Sequence, residues 1–155
     1  MKILIRSRKA IERMSKSPFP KGTALISIND ANDSPFNLVN RPDFLLRLAF
    51  DDVDNDVFAD ESVEELTEEE RLEVEKKYNM FSDEQAIEIA TFYDNNKENV
   101  SMLICQCEHG QSRSAAVAAA IIEFRSRRAI QIFADDRYFP NKVVFRKVLK
   151  AFQST

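Results

Sequence analysis

Four short apolar runs, Lys2–Arg6, Thr23–Ile28, Phe44–Phe50 and Ser101–Cys105, recur along the chain and read as strands. Between them lie stretches with helical spacing and helix-start signals. Ser7 can cap a helix over Arg8–Met14, before Pro18 and Pro20 break the pattern. Residues 29–40 are polar, contain a proline and predict a loop. Thr67 with Glu70 and Ser82 with Gln85 are capping-box pairs, predicting helices from about Thr67 to Tyr78 and from Ser82 to about Tyr93. An alanine-rich helix is expected from Ser114 to about Arg125, packed closely on a sheet. Ala129–Phe133 fits either a helical turn or an edge strand. Asn141 can cap a last helix, in which Val144, Val148 and Phe152 share a face with Phe145 and Leu149. Strands alternating with helices imply an α/β fold: a mainly parallel central sheet with helices on both faces. With no repeat or linker, residues 1–155 read as a single domain.

Composition narrows the class. Hydrophobic residues make up 44% and charged residues 31%, as in a water-soluble globular protein, and the formal net charge of −4 gives no reason to expect a nucleic-acid surface. The apolar run at the start is too short for a signal peptide, and no stretch is long enough to span a bilayer, so no membrane partner is expected. The only two cysteines, Cys105 and Cys107, are expected on opposite faces of their strand. A disulfide between them would be strained, which excludes a secreted disulfide scaffold and points to a reducing cytoplasm.

Residues 51–79 are unusual. Asp51, Asp52, Asp54, Asp56 and Asp60 run into Glu64, Glu65, Glu68, Glu69 and Glu70, and the helix that follows has only Leu72, Val74 and Tyr78 as an apolar face. A solvated helix or a lid is expected. Asp52, Asp54, Asp56 and Asp60 fit the first half of a calcium-binding loop. That loop would need Gly where Val57 stands and Glu where Val63 stands, so no metal is assigned.

The chemistry concentrates in residues 103–118, an apolar strand, a tight polar loop and a small-residue helix. Five residues separate Cys107 from Arg113, with Gly110 among them and Ser114 next after the arginine. Unpaired N–H groups at a helix start, together with its dipole, attract an anion and favour a thiolate. Arg113 can grip two phosphate oxygens with its planar fork, Gly110 lets the loop turn inward, and Ser114 can donate to the thiolate.

Cys107 to Ser114 resembles the Cys-x5-Arg-Ser/Thr signature of protein tyrosine and dual-specificity phosphatases, in its Cys-x-x-Gly-x-Ser-Arg-Ser form. The helix continuation Ser114–Ile122 is also similar, while Gln106 stands where that family has His before the nucleophile. Gln can hold a carbonyl or loop amide but carries no charge. The strand Leu46–Asp52, the helix Phe81–Tyr93 and the helix start at Pro140–Asn141 look like a small bacterial and phage phosphatase-like group. Residues 54–80 form an acidic insertion relative to that group.

The resemblance implies a phosphate-monoester hydrolase acting through a cysteinyl-phosphate, on a phosphorylated protein or a small phosphate ester. Cys107 would be the nucleophile. Glu108, His109, Gly110, Gln111, Ser112, Arg113 and Ser114 would bind the phosphate. A carboxylic acid after a strand would serve the leaving group, with Asp52 preferred to Asp51 because it continues the Leu46, Leu48, Phe50 face. No cofactor is needed, because the loop provides the charge. His109 could touch substrate from the rim or simply face solvent, and Cys105 reads as a buried core thiol rather than a redox partner. The alternative is a non-hydrolytic phosphate- or phosphoprotein-binding module. Arsenate reduction would need resolving cysteines, and only Cys105 is at hand.

Overall fold

Every apolar run became a strand, and all of them run the same way. The computed structural model describes residues 1–58 and 66–154. Its strands are β1 (Lys2–Ser7), β2 (Thr23–Asn29), β3 (Phe44–Ala49) and β4 (Met102–Cys107), paired in parallel in the order β1-β4-β2-β3. Parallel pairing requires crossovers: helices lie between β1 and β2 and between β3 and β4, while residues 30–43 join β2 to β3 without a helix. The helices are α1 (Arg8–Met14), α2 (Glu68–Lys77), α3 (Asp83–Asn96), α4 (Arg113–Ser126), α5 (Ile130–Phe133) and α6 (Lys142–Gln153). Ala129–Phe133, open between two readings, is thus the short helix α5 with its N-terminal neighbour.

The sheet is covered on both faces, as expected. On one side Ile26, Ile28, Leu48 and Leu103 pack with Ile89 of α3, Val117 of α4 and Val148 of α6. On the other side Leu25 and Ile104 meet Ile11 of α1 and Phe36. The alanines at 115, 116 and 118–120 are all fully buried, so the small side chains bring α4 close to the strands. Val144, Val148 and Phe152 are the buried face of α6, and the predicted caps Ser7, Thr67, Ser82 and Asn141 are all in place.

Cys105 and Cys107 both join the three-helix layer. Residues two apart along a strand share a face, so the expectation of opposite faces is corrected. It is Ile104 and Gln106 that turn the other way: Ile104 packs with Leu25, and Gln106 bonds Ser27. Both cysteines are free, and burial pushes the Cys105 thiol up, which keeps it protonated.

The acidic helix α2 buries no residue. The Asp60, Val63, Glu64 and Glu65 readings lie outside the described residues. Val74 of α2 packs against Phe58, Met80 and Val143, and an ion pair adds to this: Lys147 of α6 donates to Glu75 at 2.7 Å and to the Phe81 carbonyl at 2.9 Å. The two side chains are only 16% and 12% exposed, so removing one partner strands a mostly buried charge. Lys147→Ala is expected to lower stability by about 3 kcal/mol in urea unfolding, and Lys147→Ala with Glu75→Ala by clearly less.

Candidate active site

All strands being parallel, their C-terminal ends lie along one edge of the sheet, and the loops after β2, β3 and β4 meet there. Cys107 ends β4, 3% exposed, with its Sγ 3.0 Å from the Ser114 hydroxyl in the first turn of α4. Between them the chain runs Glu108-His109-Gly110-Gln111-Ser112-Arg113. Three carbonyls of this loop are taken from outside: Arg8 N–H donates to Glu108 O, Phe139 N–H to Gln111 O and Asn141 N–H to Ser112 O. The backbone N–H groups of residues 108–112 donate to no protein acceptor among the described residues. Ser112, at the N-cap of α4, makes no side-chain cap, so the first N–H groups of a fourteen-residue helix stay open as well. Such an arrangement of donors fits a tetrahedral anion.

Gly110 is what allows the turn. Its φ is +68°, and a Cβ there would sit 2.7 Å from the Arg6 carbonyl carbon and 2.8 Å from the Ser7 nitrogen. Those are backbone atoms of β1, which cannot move aside cheaply.

Arg113 is 5% exposed. Its Nη1 donates to the Phe50 carbonyl at 2.7 Å and pairs with Asp30 at 2.8 Å. Its Nε is the buried side-chain donor left without a partner among the described residues. One corner of the guanidinium is anchored, and the Nε side remains for a ligand.

Asp51 and Asp52 part company after β3. Asp51 is spent on scaffolding: its carboxylate accepts from Ala31 N–H at 2.9 Å and from the Asn79 side chain. Asp52 is exposed and turns to the loop. One of its oxygens accepts from the Ser112 hydroxyl at 2.8 Å and from Asn141 Nδ2 at 2.9 Å. Asn141 does two jobs, since its Oδ1 caps α6 through Val144 N–H while its Nδ2 holds Asp52.

Gln106, in the position before Cys107, is 1% exposed. Its amide donates to the Cys107 carbonyl at 3.1 Å and accepts from the Ser27 hydroxyl. It therefore orients the carbonyl at the start of the loop without placing a charge in the sheet. His109 is exposed on the rim, where it lines a concavity of about 520 Å³ with Asp30, Asp33, Asp52, Glu108 and Arg113. No group of three or more ligating side chains that could hold a metal ion occurs among the described residues.

Two residues of the site were not anticipated. Asp30 follows β2, next to the central strand, and a carboxylate at that strand end could have been suspected from the parallel topology alone. Asn141 was legible as a cap, but its second bond crosses 89 positions and leaves no local signal.

No family model matches the chain, and no curated protein matches it. Among solved structures, the chain is similar to PTPMT1 in complex with PI(5)P, at 12% identity over 99% of this chain and 91% of that one, with a TM-score of 0.53. Human DUSP28 follows at 18% identity, 98% and 92% coverage and a TM-score of 0.49. The fold of this chain is thus that of PTPMT1: the α/β fold expected from the strand and helix order, in the phosphatase-like form that the resemblance implied.

If Gly110 sets the loop, Gly110→Ala should weaken binding of tungstate or inorganic phosphate by more than about tenfold in calorimetric titration, because a left-handed residue with a Cβ is strained by about 1–2 kcal/mol even before the contact with Arg6.

Proposed function

We propose that the protein is a phosphate-monoester hydrolase working through a cysteinyl-phosphate, a cysteine phosphatase of the protein-tyrosine or dual-specificity kind. The observation that carries this reading is the loop itself. Within eight residues it carries a cysteine sulfur 3.0 Å from a hydroxyl, a set of unclaimed N–H groups and a buried, half-anchored guanidinium.

In the first step the Cys107 thiolate attacks phosphorus in line with the ester bond. The S–P bond forms as the P–O bond breaks, and the leaving oxygen takes the electron pair and a proton from Asp52. The loop N–H groups and Arg113 hold the equatorial oxygens. In the second step Asp52, now ionised, takes a proton from water while the water oxygen attacks phosphorus. The S–P bond breaks, Ser114 donates to the departing thiolate, and inorganic phosphate leaves with Asp52 protonated again. Asp52 suits this work because Ser112 ties it to the loop and Asn141 fixes one oxygen, which leaves the other oxygen for the proton. Asp51 is already engaged with Ala31 and Asn79.

Phosphorylated proteins or small phosphate esters are the substrates this chemistry serves. A reducing cytoplasm suits a site that depends on a free thiol. Among the described residues no helix is long and apolar enough to cross a membrane.

Turnover of aryl phosphates without added metal tests the proposal. Cys107→Ser should abolish hydrolysis and keep oxyanion binding, and Arg113→Lys should weaken both. Full activity in Cys107→Ser would rule out the covalent route; oxyanion binding without turnover in the wild type would make the protein a phosphate-binding module.

The role of Asp52 has its own test, because protonation matters most for a poor leaving group. Asp52→Asn should slow phenyl phosphate by about 10²–10⁴-fold and a fluorinated coumarin phosphate far less. Asp51→Asn should show no such leaving-group dependence. The reverse pattern would move the acid to Asp51.

A further inference from the structure

The mouth of the loop carries a charge pattern that a bare phosphate does not explain. Its floor is made for an anion: Arg113 is 6% exposed on its side chain, and its Nε has no partner among the described residues. Its rim is the opposite. Asp30, Asp33, Asp51, Asp52 and Glu108 all line the same concavity, with Arg113 as its sole guanidinium and His109 as its sole imidazole. Asp30 is offset by Arg113 at 2.8 Å, and Glu108 only distantly by Arg8 at 3.9 Å. Asp51 accepts hydrogen bonds from neutral groups, which orient a carboxylate without cancelling its charge, whereas Asp52 as the proton donor brings no charge to the first step. Asp33 is exposed, and no hydrogen bond or ion pair engages its side chain among the described residues. The acidic surface continues past Asp52 into an adjoining cleft of about 390 Å³ that adds Asp54 and Asp56.

A dianion approaching this mouth meets repulsion before it reaches the donors, unless it brings positive charge with it. A single metal ion is a poor counter-charge, since no three ligating groups converge among the described residues. The carboxylates are distributed over the loops after β2, β3 and β4, so the counter-charge must be distributed too.

Resting on the reading of the loop as a phosphate site, we propose that the substrate is a phosphorylated residue in a basic stretch of polypeptide, with lysine or arginine side chains flanking the phosphate and meeting the acidic rim. Opposite potentials steer such a peptide in and reject acidic competitors. A polyanionic headgroup such as an inositol polyphosphate meets the same repulsion without relief.

The test compares phosphotyrosine peptides that differ only in flanking lysines or glutamates. At low salt, kcat/KM should favour the basic peptide by about tenfold or more, and the ratio should shrink toward one near 1 M salt, where the Debye length is about 3 Å. Asp33→Lys should cut the low-salt ratio severalfold. Equal rates, preference for the acidic peptide, or faster turnover of an inositol polyphosphate would each overturn the inference while leaving the hydrolase reading intact. The same peptides titrated onto Cys107→Ser by fluorescence anisotropy read selectivity without chemistry. If the wild type turns over no peptide, a basic preference in that titration upholds the charge inference although hydrolysis has failed, and no preference there overturns it.

Discussion

The structure depends on one constraint: a loop that turns its N–H groups inward must have its carbonyls satisfied from outside. Buried backbone groups are rarely left unpaired, so each outward carbonyl needs a donor brought to it. Arg8 at the start of α1, Phe139 in the loop after α5 and Asn141 at the start of α6 are those donors. They come from opposite ends of the chain, and much of the fold can be understood as the means of delivering them. The tight seat of Gly110 on the Arg6–Ser7 backbone belongs to the same requirement, because β1 pairs with β4 in parallel and its end lies beside the loop.

Asn141 shows how the scaffold and the chemistry share parts. Its side-chain oxygen fixes the first turn of α6, the helix that buries Val144, Val148 and Phe152 in the main core. Its nitrogen holds Asp52 and the Val53 carbonyl. The position of Asp52 is therefore tied to the packing of a core helix, although Asp52 itself is exposed. A carboxylate on a loop gains from this a placement fixed by the scaffold.

The fold was largely legible from local rules, since four apolar runs, four capping residues and one alanine-rich stretch each announce themselves within a few positions. The loop was legible for the same reason: Cys107, Gly110, Arg113 and Ser114 are neighbours in sequence. What escaped depended on long-range pairing. Asp30 reaches Arg113 across 83 positions only because β2 lies beside β4, and no pattern around Asp30 distinguishes it from Asp33. The facing of Cys105 is a different case. Strand period alone places it with Cys107, and its burial among the helices, rather than an opposite direction, is what keeps the thiol protonated.

Arg113 brings energetics and function together. A guanidinium cannot shed its charge when buried, so it requires acceptors. Phe50 O and Asp30 satisfy Nη1, and the Nε donor has no partner among the described residues. An unmet buried donor costs about 1–3 kcal/mol, and an anion that supplies the missing acceptor recovers that cost on binding. The two existing bonds also hold the plane of the fork, so an anion bound there would cost little further rotamer freedom. Asp30 thus neutralises the arginine at rest without blocking its Nε. Gln106 completes the arrangement from below by orienting the Cys107 carbonyl with a neutral amide. A charged group there would have to be buried at 1% exposure among Ser27 and the strand backbone, whereas the amide satisfies the same carbonyl with no ion to desolvate.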